Sequence, residues 1–382
     1  MAAPLKEPLV GNGTTAGAGP SPVWYVLWVL SGLFEGFAFR KACIVYPAVL
    51  ADQFVFRNFA VLKFFIAAVG SSMVSQGLMS TVMPTVFSKS MDYGANSYGS
   101  ARVAVGCAIL GVGMAVAGSG PSMFIPSLAC HVTTAAYLLA GGLVAALAVA
   151  VVDKLAPATG TGSPADRQTL PKLLGRAGPG GYAAVAVPMG LVMMAAAVGL
   201  ESVVNYQEDM TRYGGALAEP YPEAVLDYPA WPPIVGGMAL GLAQVPVRVV
   251  SGDGLGTATS FSILVSTLSG NTLSPGKSLL HSKKNWWQPA FVVLVFVGAM
   301  FCDTLGPSLQ GASSEGVPVK EGFPPMQMAL GAFLAIAGAR VAGGCTCGHG
   351  VSGTSELSLE SFLGAAAIFG GAIATKCIMV FT

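Results

Sequence analysis

The chain reads as a succession of long apolar runs divided by short polar stretches, with little of the two-residue alternation that marks a half-buried strand. Nine runs are long enough, or nearly so, to cross a bilayer as a helix of about 20 residues. They are 23–39, 59–82, 102–119, 131–152, 182–203, 231–250, 286–304, 324–342 and 358–380. Three more stretches, Ala42–Leu50, Ser122–Ala129 and Thr257–Ser269, are apolar or rich in small residues but too short or too broken to span. A fourth, Gly343–Ser355, reads as non-helical backbone at membrane depth. Irregular backbone is tolerated there only where it is buried in protein or lines a cavity. These glycine-broken segments therefore point to a pathway, with ordinary surface loops as the plain alternative.

The two halves of the pattern look related. Gly113–Pro121 aligns without gaps on Gly338–Thr346, matching Gly, Val, Ala and Gly, and each stretch follows an apolar run and precedes another. Four spans, a linking span at 182–203 and four more would place the second half upside down relative to the first. Inverted repeats with broken helices are a common transporter plan. The expected fold is an all-α membrane protein of about nine transmembrane helices plus short re-entrant helices, in two pseudo-symmetric inverted halves. Residues 1–22 form a tail, 23–152 the first half, 153–230 linker loops with one transmembrane helix, and 231–382 the second half. The tail is rich in Gly, Ala, Thr and Pro and is expected to be disordered. It does not read as a signal peptide, because the first apolar run starts only at Val23 and no clear cleavage site follows.

Composition turns these runs from candidates into a class. Of 382 residues, 53% are hydrophobic and 10% charged, and the mean hydropathy is +0.67. Soluble domains carry about 25% charged residues, so this chain is expected to be a multi-pass integral protein of a plasma or inner membrane. A net charge of +1 without a basic stripe excludes nucleic acid as an expected partner. Loop 153–180 carries Lys154, Arg167, Lys172 and Arg176, and segment 277–284 carries Lys277, Lys283 and Lys284. The positive-inside rule places both in the cytoplasm. Loop 204–230, with Glu208, Asp209, Glu223 and Asp227 against Arg212, is then external. That assignment leaves Arg40, Lys41 and Arg57 outside, against the rule, unless segment 40–58 dips into the membrane.

Candidate chemistry concentrates in Arg340–Gly353, which holds five glycines in its last eleven residues together with Cys345, Cys347 and His349. Glycine-rich backbone leading into a helix can aim N–H groups at an anion. The thiols offer soft sulfur, and His349 can exchange a proton near neutral pH. Ser352, Thr354 and Ser355 read as caps of the last helix, with Glu356 in its first turn. Cys345-x-Cys347-x-His349 could also be a metal site, but three local ligands fall short of a structural zinc set. The cysteines could equally be small apolar filler or part of a catalytic Cys–His pair, for which no orienting acid is evident. Phe37–Ile44 sets Cys43 beside Arg40 and Lys41, where nearby cations would favour a thiolate; interfacial anchors are the alternative. Ser251–Ser262 is rich in hydroxyls and glycine but lacks the ending of a phosphate-binding loop. Arg102, Arg248, Arg340 and Lys376 sit in or at the ends of spans, where charge is costly unless functional or snorkelling. His131 and His281 carry no expected role, and Trp286-Trp287 reads as an interfacial belt.

These residues resemble a known family. Ala342–Gly353, followed by Leu357-Ser358 and Ser361, is similar to the C-terminal signature of the YeeE/YedE sulfur transporters, and Phe39–Cys43 and Gly111–Gly118 are similar to its N-terminal ones. The resemblance implies an inner-membrane protein of two pseudo-symmetric halves with short re-entrant helices, taking up thiosulfate past a series of cysteine thiols. Cys43 and Cys345 match two of those cysteines. The third belongs in a Gly-Gly-Cys-Pro segment, which here reads Ala117-Gly-Ser-Gly-Pro121, so Gly120 stands where cysteine is expected. Cys347 replaces the usual serine.

The expectation is thus a non-enzymatic permease for a small inorganic sulfur anion. Its pathway residues would be Cys43, Cys345, Cys347, His349, Arg340, Gly344, Gly348 and Gly120, with no metal and no cofactor. A sulfur-relay or redox protein serving a soluble sulfurtransferase, or a soft-metal transporter, is the alternative. No ATP-binding motif is present.

Overall fold

A computed structural model describes residues 20–93, 99–155, 167–176, 178–211, 225–270, 286–306 and 323–381. The tail ahead of residue 20, Arg212, Glu223, segment 277–284 and His281 lie outside the described residues.

The described chain is helical throughout, apart from one isolated antiparallel bridge between Thr169 and Ser358. In chain order the first elements are α1 Pro22–Lys41, α2 Pro47–Gln53, α3 Ala60–Val82, α4 Pro84–Tyr93, α5 Ser100–Ala117, a 3-10 turn Pro126–Ala129 and α6 Val132–Leu155. Next come α7 Leu170–Leu173, α8 Pro179–Val203, α9 Tyr206–Thr211, α10 Pro233–Ser251 and α11 Ala258–Leu268. The last are α12 Trp287–Leu305, α13 Pro325–Ala342, a π-helical segment Thr346–Gly353 and α14 Leu359–Phe381. Proline opens α1, α2, α8, α10 and α13, a position where its missing N–H costs nothing.

Eight of these helices, α1, α3, α5, α6, α8, α10, α13 and α14, are long and apolar enough to cross a membrane. The chain is therefore a multi-pass integral membrane protein. The ninth expected span, 286–304, is helix α12, whose apolar part runs only Trp287–Cys302. Large apolar side chains such as Leu191, Val192 and Val198 on α8 or Val144 and Leu147 on α6 are exposed. A helix that is apolar all round presents such residues to lipid.

Close packing is made by glycine. A side chain at Gly106 of α5 would lie 2.8 Å from the Gly338 carbonyl of α13, and one at Gly113 would lie 2.6 Å from the Gly331 carbonyl. Lipid is as apolar as leucine, so helices in a membrane are held by close approach of this kind. Gly70 of α3 and Gly190 of α8 meet in the same way. In the packing that results, α5 lies on α13 and α14, α6 on α13, α3 on α8 and α10, and α1 on α10 and α12.

Four helices stop inside the bundle, each at a residue with positive φ. Gly118 after α5 (φ 64), Gly252 after α10 (φ 76) and Gly343 after α13 (φ 80) adopt the left-handed conformation that glycine tolerates. The fourth stop, after α1, is made by Cys43 at φ 61. A side chain rarely accepts that region. Behind these stops lie α2, the 3-10 turn, α11 and the π-helical segment, the four short pieces legible in the sequence.

Two expectations need correction. Gly343–Ser355 is not irregular: beyond Cys345 it winds into wide turns, with Thr354 N–H donating to the His349 carbonyl five residues back. Glu356 also does not open the last helix. That helix starts at Leu359, with Glu360 in its first turn, and Leu357 turns between them at φ 58. Arg40 and Lys41 are interior residues, bonded through Arg40 to the Ala129 carbonyl and through Lys41 to those of Leu226 (2.8 Å) and Tyr228 (2.7 Å). They do not belong to the loop charges that the positive-inside rule counts.

Candidate functional site

The π-helical segment separates two cavities. The larger, about 150 Å³, is polar and includes Arg167, Asp253, Cys345, Gly348, His349 and Glu356 in its lining. The smaller, about 70 Å³, is mostly apolar and is lined in part by Phe39, Phe64, Met114, Gly120, Met123 and Cys347. Only a few residues of backbone stand between them.

Gly343 ends α13 and Cys345 follows in extended conformation (φ −99, ψ −171), which drops the chain off the helix axis. The next residues wind back, and this reversal aims Cys345 and Cys347 into different cavities. Cys345 Sγ lies 3.6 Å from Thr257 Oγ1 at the start of α11. Cys107 of α5 is its buried electrostatic neighbour. Across the segment, Cys347 and Ser122 line the smaller cavity together.

His349 braces the segment. Its Nε2 lies 3.0 Å from the Ala342 carbonyl, and its Nδ1 lies 3.3 Å from Ser361 Oγ. A carbonyl only accepts, so the proton sits on Nε2, and Nδ1 receives the serine hydroxyl. Burial keeps the imidazole below its ordinary value, so it stays neutral. The ring lies over Gly344, where a Cβ would come within 2.8 Å of it. Gly348 faces open space in the larger cavity.

A hydrogen-bond network holds the segment from the other side. Ser352 Oγ–H donates to the Leu255 carbonyl (2.9 Å) and receives Gln244 Nε2–H (2.9 Å), while Gln244 Oε1 accepts Leu255 N–H (3.3 Å). Gln76 of α3 donates to Ser72 (3.0 Å) and Ser355 (2.7 Å). Thr354 and Ser355 turn their hydroxyls back to the carbonyls of Val351 (3.1 Å) and Ser352 (2.8 Å). These hydroxyls do not cap α14.

Beneath the larger cavity Glu356 accepts hydrogen bonds from both Arg167 and Arg248, and all three side chains are buried. Burial alone would raise the Glu356 carboxyl, but the two guanidinium charges and their hydrogen bonds outweigh it and hold the group below the ordinary carboxylate range. Arg248 Nε and Nη1 have no hydrogen-bond partner, and the acids Asp253 and Glu360 share the cavity lining with Arg167 and Glu356. Arg167 arrives from the linker loop, fixed by Leu170 N–H to the Leu357 carbonyl (2.9 Å) and Leu359 N–H to the Gln168 carbonyl (3.1 Å).

The expected site residues are therefore only partly brought together. Cys345, His349, Gly344 and Gly348 line the larger cavity, and Cys347 and Gly120 line the smaller. Cys43 lines neither: it is fully buried near Cys130 and Cys302, with its Sγ 3.6 Å from the Lys41 carbonyl. Its neighbour Ile44 does reach the smaller cavity. Arg340 is half-buried on α13 and is absent from both linings. The cations at the larger cavity are Arg167 and Arg248, and sequence reasoning treated one as a loop charge and the other as a snorkelling end. A charged residue near the end of an apolar run is a signal for Arg248. Nothing in the local sequence pairs Glu356 with Arg167. Among the described residues, no three His, Cys, Asp or Glu side chains converge to hold a metal.

The sulphur transport family model matches residues 41–374. The chain belongs to that family, the YeeE/YedE group, as its terminal signatures suggested. No curated protein matches the chain.

Proposed function

We propose that this member of the sulphur transport family is a permease for a small inorganic sulfur anion, thiosulfate first. The observation that carries the reading is the placement of Cys345 and Cys347. Two thiols two residues apart face separate cavities on the two sides of one thin segment. A thiosulfate ion has hard oxygens and one soft terminal sulfur. At the larger cavity the unpartnered N–H groups of Arg248, together with the Thr257 hydroxyl and Cys345 thiol, donate to its oxygens and sulfur, with Glu356 held by the two arginines. Passing the segment, the terminal sulfur is handed to Cys347 and the thioether of Met114, whose Sδ now accepts Thr346 Oγ1–H at 3.2 Å. The path needs only side-chain and backbone adjustments in 345–353, where glycine is frequent.

The packing supports two related halves, 23–152 and 231–382, joined through α8 in the linker 153–230. Exchanging α1 with α10, α3 with α12, α5 with α13 and α6 with α14 maps the packing of α3 on α10 onto that of α12 on α1, and that of α6 on α13 onto that of α14 on α5. The same exchange carries Gly106 and Gly113 onto Gly331 and Gly338, seven residues apart in both helices. It also pairs Gly118 with Gly343, both left-handed, and so Gly120 with Cys345. On this reading α12 is the ninth crossing, and the halves are inverted.

A metal carrier is disfavoured because Cys345 and Cys347 diverge and both nitrogens of His349 are engaged. The test is uptake of radiolabelled thiosulfate by proteoliposomes, with Cys345→Ala beside the wild type. Equal uptake by both removes the thiol role, and none by either removes the substrate. Persulfide on Cys345 or Cys347 without net uptake would instead favour sulfur relay to a soluble partner.

A further inference from the structure

Glu35 is a buried acid that the pathway described above does not use and, unlike the buried Asp209, which pairs with Lys63, it has no cationic partner among the described residues. It lies in the interior of α1, 4% exposed, and its Oε2 has no hydrogen-bond partner. The residue sits ahead of the segment 41–374 that the family model covers. One helical turn further on, the same face of α1 presents Phe39 to the smaller cavity. Glu35 is not itself in that lining; it stands one turn behind Phe39, and Cys347 lines the same cavity as Phe39.

No cation compensates it among the described residues. On α1 itself, Arg40 and Lys41 lie beyond Phe39 and bond the carbonyls of Ala129, Leu226 and Tyr228. From α10, Arg248 is turned to Glu356. From α12, Cys302 is grouped with Cys43 and Cys130. The titratable group lining the cavity on this side of α1 is Cys347. An isolated carboxylate in such a place is costly, and the group neutralises instead by binding a proton. Ionisable residues inside membrane helices commonly form proton relays when no partner charge is present.

We propose that Glu35 is a proton carrier that couples anion passage at Cys347 to proton movement. This rests on the permease reading above. A carboxylate and a dianion side by side in an apolar cavity repel strongly, so the anion occupies the Cys347 side only while Glu35 is a neutral acid. Glu35 Oε2 holds its proton at rest and while the anion occupies the Cys347 side; after the anion departs that proton leaves to water on the far side, and one proton from the entry side replaces it. Only that O–H bond forms and breaks. A dianion then crosses with one compensating charge, which lowers the charge moved against the membrane potential by one.

Two measurements test the proposal. Infrared difference spectra of the purified protein at neutral pH, wild type minus Glu35→Gln, should show one protonated carboxyl stretch. Glu35→Met repeats the subtraction if the glutamine variant does not fold. In proteoliposomes, the protons entering per labelled thiosulfate should be one for the wild type and fall to zero in Glu35→Gln. Absence of the carboxyl band, or an equal proton count in the two proteins, overturns the proposal. Wild-type vesicles that take up no thiosulfate would sink the permease reading, while the infrared band still decides whether Glu35 holds its proton.

Discussion

Cys345 and Cys347 are two residues apart in sequence yet line different cavities, one polar and one apolar, on the two sides of a single turn of backbone. The extended conformation at Cys345 followed by wide π-helical turns produces this divergence. Regular α-helix would separate the two side chains by about 200° around an axis but would fill the space that the cavities occupy.

This divergence predicts separable effects of the two thiols. A hydrogen bond to a charged partner contributes about 1.5–3 kcal/mol, so Cys345→Ala and Cys347→Ala should each lower thiosulfate uptake by about tenfold or more. Serine, which keeps the donor, should recover part of the loss. Initial uptake rates in proteoliposomes decide it, and rates within twofold of wild type would refute the assignment.

Glycine positions should sort by what lies opposite them. A Cβ at Gly113 would lie 2.6 Å from the Gly331 carbonyl, whereas one at Gly120 meets nothing closer than Met114 Cε at 3.4 Å. Gly113→Ala should therefore destabilise by about 1–3 kcal/mol, and Gly120→Ala should be close to neutral. Gly120→Cys should fold, and its thiol should react with a small mercurial that also reaches Cys347. Unfolding in mixed micelles and thiol counting provide the readouts.

Breaking the buried charges should cost more than replacing them. Glu356→Gln leaves Arg167 and Arg248 without their carboxylate and should destabilise by about 3–5 kcal/mol. Adding Arg248→Met to that variant should recover part of the loss, because one uncompensated charge disappears. A double variant less stable than the single would count against the ion-pair account.

Stability should fall in two steps on acidification. The neutral His349 has a folded-state value below the ordinary 6.5 of a histidine, so its contribution is present above about pH 6.5 and is lost as pH drops toward the lowered value. Glu356, held below the ordinary 4.5 of a glutamate, contributes above about pH 4.5 and loses that contribution as pH falls through its depressed value. His349→Gln should abolish the upper step and leave the lower. Thermal midpoints in detergent between about pH 8 and 2 read both.

The sequence by itself determined the helical class, the boundaries of the eight long spans to within a few residues, and the location of all four breaks. Apolar runs of bilayer length and glycine at helix ends are local signals, and each acts through the backbone of its own neighbourhood. The terminal signature was legible for the same reason. What only the tertiary structure decided was which residues face a cavity. Cys43 terminates a helix and is walled in by side chains from several elements, and Arg340 is absent from both linings. Arg167 reaches Glu356 across 189 residues of chain. Burial and charge pairing are set by contacts between distant segments, and a thiol two residues from another ends on the opposite side of the pathway because the backbone between them leaves the α-helix.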